Sequence, residues 1–322
     1  MLNIDQTPRW SIKEENSEVF HVQISQDSNF VASGLSNGLI SLRSATTGRL
    51  SYTLQQSELQ FPVTSLRFNP KDPKFFIASS ADGVIKEWTT KNSISKWSTQ
   101  EHDNQIYCLD FQNTGTLFAS AGRDCHVRVY DNESKKQVLD LARNEFDLET
   151  TRGHCNRIYS LKFHPEDPGV LISGGWDDTL QVWDLRSASP VRAIFGPHVC
   201  GDSIDINGNY ILACSWRSDE QVQIFDIRTY TPVTTMKWSQ SVDDAQCLIY
   251  AAKFHPNGQN FLAGGSGVNQ VRIFSTEKDR SIGTPLNLSA PVFSICMPTN
   301  ASLAIIGTGD GTIVAHPLIS SN

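Results

Sequence analysis

The chain has 322 residues, 27 Lys and Arg against 34 Asp and Glu for a net charge of −7, with 39% apolar and 19% charged residues. A chain this long buries roughly 75% of the surface its unfolded form exposes, so it needs neither disulfides nor a metal to fold. No apolar stretch approaches the ~18 residues that span a bilayer, MLNIDQTPRW lacks a signal-peptide core, and no long Lys/Arg cluster offers phosphates a partner, which excludes membrane, secretory and nucleic-acid roles as expectations.

The predicted elements repeat along the chain. RWSIK (9–13) stands first, as an isolated strand. Six-residue runs follow: VFHVQI (19–24), VTSLRF (63–68), IYCLDF (106–111), IYSLKF (158–163), GDSIDI (201–206), IYAAKF (249–254) and VFSICM (292–297). Their starts advance by 44, 43, 52, 43, 48 and 43 residues, and each run alternates apolar and other residues, the mark of a half-buried strand. Behind each run come a turn, a small-residue strand such as FIASS or VLISGG, a tight turn, and a third strand such as VIKEW or LQVWD. Four short strands per ~40–45 residues without intervening helices describe one blade of a β-propeller. Blade seven has room for only three strands, so RWSIK is predicted to complete it and to join the termini of one domain spanning 1–322.

The repeat resembles the WD40 family. In blade four Gly153-His154 precedes the first strand and Trp183-Asp184 ends the third; turn acids Asp82, Asp124, Asp177, Asp219 and Asp310 recur six residues before the third strand ends. The resemblance implies an all-β, seven-bladed ring in which Asp177, His154, Ser173 and Trp183 satisfy one another's polar groups and clamp blade four. His102, Asp124 and Tyr130 hold the corresponding places in blade three. Asn37 and Arg43 replace Asp and Trp in blade one, and Val268 replaces the acid in blade six.

The seven cysteines, at 108, 125, 155, 200, 214, 247 and 296, contain no CxxC pair and read as reduced thiols. GxxxxGK[ST], HExxH, GxSxG and EF-hand patterns are absent. GTGDG (307–311) reads as a strand-to-strand turn, and Cys125-His126 and His198-Val199-Cys200 lack the second pair that a zinc site needs. Neither catalysis, a metal nor a cofactor is expected.

What the resemblance implies instead is a monomeric ring that binds proteins or peptides, in the cytoplasm and also the nucleus, as part of a larger complex. By the same resemblance the second position of each first strand lies at the mouth of the central channel. It reads Phe20, Thr64, Tyr107, Tyr159, Asp202, Tyr250 and Phe293: five aromatics and one carboxylate, suited to a cationic or aromatic side chain. A modified lysine, as in a peptide or chromatin reader, fits that set. The third position is small except at His21. Arg123 and Trp176, each before a turn acid, and Arg217 nearby are expected on the same rim, with Trp176 exposed. The connections 142–153 and 237–247 are longer than the other turns and are candidates for recognition. A second reading comes from residues 171–186, LISGGWDDTLQVWDLR, which resemble the DWD box of cullin-4 ubiquitin ligase receptors; the resemblance assigns adaptor contacts to Asp177, Asp184 and above all Arg186. Arg228 ends a looser echo in blade five.

Overall fold

The alternating runs become the innermost strands of seven antiparallel sheets: Val19–Ile24, Val63–Phe68, Ile106–Phe111, Ile158–Phe163, Ile204–Asn207, Leu248–Phe254 and Val292–Cys296. The structure is a computed structural model describing residues 2–143, 152–239 and 245–320. From each innermost strand the chain meanders outward through sequential hydrogen-bonded strands, and no helix occurs among the described residues. Apolar faces meet between neighbouring sheets. Trp183, for example, is fully buried with Ala119, Val129, Phe163 and Leu171 between blades three and four. The core is therefore a set of wedges between blades.

Blade seven is closed by the N-terminal segment. Trp10–Lys13 runs antiparallel to the strand Thr312–Ser320, in the register Trp10↔Ala315 to Lys13↔Thr312. Trp10 belongs to the apolar cluster of Val19, Val22, Ile305 and Ile313 at the seam of blades one and seven, and its indole N–H donates to the Ala45 carbonyl at 2.9 Å. A second short strand, Leu2–Ile4, pairs with the far end of the same strand, Leu2↔Ser320, which the pattern did not anticipate.

Two departures from strict alternation position the channel mouth. The register shifts between the first and third residues of the six-residue runs of blades one, two, three, four, six and seven. Each shift leaves the second residue as a β-bulge, which bends the strand and re-aims that side chain. Blade five differs, because its innermost strand begins at Ile204 and not at the predicted 201. There Gly201-Asp202-Ser203 form a turn, tight against blade six: a Cβ on Gly201 would collide with the Tyr250 carbonyl. Small third-position residues have a bonding role. Ser65, Ser160 and Ser294 are buried, and their hydroxyls accept from the backbone N–H of Leu109, Ile204 and Val22 in the next blade.

Candidate interaction site at the mouth of the ring

The bulged residues converge. Phe20, Tyr107, Tyr159, Tyr250 and Phe293 line one cavity of about 360 Å³, together with Thr64, Pro62, Cys200 and Gly201. Tyr107 and Tyr159 stack with centroids 4.6 Å apart and planes 8° from parallel. Phe293 stacks on Phe20 at 5.7 Å and meets Tyr250 edge-on at 5.4 Å. The wall is thus two aromatic groups, on blades three and four and on blades six, seven and one.

Trp176 extends the first group and is half-buried, not exposed as expected. Its ring lies 5.3 Å from Tyr159 and 6.0 Å from His198, and the Arg157 guanidinium sits over it at 5.3 Å. Trp216, which the sequence reading did not single out, does the same for Tyr250 at 6.3 Å. Arg123 is exposed on the blade-three turn. Arg217 is paired with Asp219 at 3.2 Å and donates to the Gly196 carbonyl, so it is held back from the mouth.

Asp202 is a correction. The expected open carboxylate lies largely buried at the cavity floor, where its Oδ2 is paired with Arg67 Nη2 at 3.0 Å and Lys253 Nζ at 2.9 Å. Burial alone would raise its pKa, yet the charges of Arg67, Lys253 and Lys162 outweigh that and hold it well below the usual carboxylate range. Arg67 Nη1 also donates to His21 Nε2 at 2.7 Å, which leaves the imidazole proton on Nδ1, and that buried atom has no partner. Burial, the largest effect, pushes the His21 pKa down to about 4, so the ring is neutral at pH 7.

This floor belongs to a charge ring that the sequence reading missed. The fifth residues of the six-residue runs read Gln23, Arg67, Asp110, Lys162, Asp205, Lys253 and Cys296, alternating in sign from blade two to blade six. Arg67 reaches Asp110 at 3.2 Å, and Lys162 reaches Asp110 at 3.5 Å. Asp110 and Asp205 also accept from the backbone N–H of Phe163 and Phe254 in the following blades. All seven line a second, polar cavity of about 300 Å³ on the opposite face, and Arg67 borders both cavities.

The network residues divide. In blade four His154 Nδ1 lies 2.8 Å from Asp177 and Nε2 lies 2.8 Å from Ser173 Oγ, which also accepts from the Trp183 indole at 2.8 Å. In blade three His102 is exposed and takes no part. Its neighbour Glu101 is buried in that place, accepting from Ser120, Tyr130, Arg128 and Asn104. Asp124 pairs with Arg128 at 2.6 Å. In blade two Gln56 accepts from the Trp88 indole at 2.7 Å while Ser57 donates to Asp82. His198 pairs with Asp178 of blade four at 2.7 Å.

At the DWD-like stretch Asp177 is consumed by His154. Arg186 is 73% exposed and is oriented by Asp184 at 3.0 Å; Arg228 is held likewise by Asp226. Both arginines follow third strands, on the face opposite the aromatic mouth. The long connections 142–153 and 237–247 fall largely outside the described residues, at 144–151 and 240–244. All seven cysteines are free thiols, four of them buried.

The family described as WD domain, G-beta repeat, matches residues 48–89, 94–131 and 147–184. The probable coatomer subunit beta' of Schizosaccharomyces pombe is 30% identical over 133 residues, 41% of this chain and 15% of that protein. The mRNA export factor GLE2 of Chaetomium thermophilum is 31% identical over 251 residues, 74% of this chain and 65% of that protein. The serine-threonine kinase receptor-associated protein of Dictyostelium discoideum is 26% identical over 289 residues, 89% of this chain and 90% of that protein. The chain thus spans less than two thirds of the length of the first two.

Proposed function

Because the chain is a WD40-repeat protein whose seven blades close into a ring, we propose that it is a non-catalytic interaction platform whose working surface is the aromatic mouth. The observation that carries this reading is the convergence of Phe20, Tyr107, Tyr159, Tyr250 and Phe293 on one cavity. Bulges in six strands aim side chains at one opening, and concave, aromatic-lined pockets are where binding energy concentrates. The setting is a multi-subunit assembly in the cytoplasm or nucleus, and relatives named as a coatomer subunit and an mRNA export factor support it.

A second reading rests on Arg186. Its exposed guanidinium, aimed by Asp184, is available to an adaptor of a cullin-4 ubiquitin ligase while the mouth takes substrate. One experiment separates the two: an affinity pull-down with quantitative mass spectrometry of wild type, Arg186→Ala and Tyr107→Ala/Tyr250→Ala. The platform reading expects one stable set of proteins, lost only with the tyrosine variant. An adaptor lost only with Arg186→Ala establishes the ligase reading in its place.

A further inference from the structure

The mouth is lopsided. On the side of blades one and two its lip is apolar: Pro62 lines the cavity, and beside it Phe61 is 39% and Leu59 is 76% exposed. On the side of blades three and four the lip is cationic. Neither Arg123 nor Arg157 makes an ion pair with a described residue. Their charges are felt in the cavity wall, where burial raises the Tyr107 phenol and Arg157 and Arg123 oppose the rise.

The floor decides what enters. Asp202 is the one carboxylate among the described lining residues, and Arg67 and Lys253 already neutralise it. A cationic side chain pushed into the cavity would lose its hydration and meet two cations already bound to the only anion. An uncharged apolar side chain would meet ring faces alone and bury them with it. A cavity of about 360 Å³ has room for a large side chain.

We propose that the mouth binds a linear segment of a partner protein that inserts one uncharged apolar residue, aromatic or Leu-sized, and places Asp or Glu beside it over Arg123 and Arg157. This rests on the reading of the mouth as the working surface and specifies its occupant. Charge complementarity orients the segment: the acidic side faces blades three and four, and the apolar continuation runs over Leu59 and Phe61.

The test pans a random-peptide phage library against the whole chain as wild type, Tyr107→Ala/Tyr250→Ala and Arg123→Glu/Arg157→Glu, then measures the best peptide by fluorescence anisotropy. Wild type is expected to enrich Phe, Trp or Leu flanked by Asp or Glu. Either double variant should weaken that peptide by roughly tenfold or more. Panning on the charge-reversed variant should keep the anchor and change its flank to Lys or Arg. Peptides that need the tyrosines but anchor through Arg or Lys, or that ignore the charge reversal, overturn the proposed occupant and leave the mouth as the site. Peptides indifferent to the tyrosines, or no enrichment at all, overturn both. Arg157→Glu also removes the contact with Trp176, so Arg123→Glu alone is measured beside the double variant and should weaken the peptide in the same direction; Tyr250→Leu replaces the tyrosine pair if that variant fails to fold.

Discussion

Arg67 and Asp202, 135 residues apart in the chain, stand 3.0 Å apart across the channel and tie blade two to the entrance of blade five. Arg67 also holds His21 of blade one, and Lys253 adds blade six to the same carboxylate. Removing it strands buried cations, so Asp202→Ala should cost about 3–5 kcal/mol of stability. Arg67→Met in the Asp202→Ala background should cost much less than alone. Urea unfolding of the four chains gives the coupling, and additive losses would show that the pair does not act as a unit.

His21 makes stability depend on pH in a defined direction. Its folded pKa of about 4 lies below the ordinary 6.5, so the unfolded chain binds more protons between those values. Stability is full above pH 6.5 and falls as pH drops toward 4, by about 3 kcal/mol for this one group. Burial lowers the His316 pKa too, in the same sense. Denaturant unfolding at pH 7.0, 5.5 and 4.5 should show His21→Gln losing markedly less than wild type; parallel losses in the two chains would sink the assignment.

Blades three and four make a matched pair. Ser173→Ala removes the shared partner of His154 and Trp183 and should cost about 1–3 kcal/mol. His102→Ala touches an exposed group and should stay within about 0.5 kcal/mol of wild type, while Glu101→Ala in the same blade should behave like Ser173→Ala. Thermal unfolding decides between the two residues.

The ring closure predicts a further asymmetry. Trp10→Ala empties a buried site at the seam and should cost about 3–5 kcal/mol, and deleting residues 1–14 should cost more by exposing the strand Thr312–Ser320. By contrast Arg186→Ala, a surface pair with Asp184, should change stability by less than about 0.5 kcal/mol. Equal melting temperatures for wild type and the deletion would mean that the N-terminal strand is not part of the closing blade.

The blades were legible because period-two runs spaced by about 45 residues admit few other folds, and the blade-four network was legible because its four residue types stand at the family's spacing. Glu101 escaped notice because a histidine beside it matched the pattern better, although a carboxylate accepts from Ser120 and Tyr130 as well as an imidazole does. On an unbroken strand Asp202 would stand open at the mouth; the turn at 201–203 changes where it points. The charge ring was written in the chain as alternating signs at the fifth strand position. Its meaning emerged only when strands far apart in sequence met at one axis.

A pore that is stoppered at its waist is no longer a pore. With Arg67 bordering both the aromatic cavity and the polar one, the molecule is a two-sided tray. Whatever sits on one side leaves the other vacant, so two guests need not compete for room.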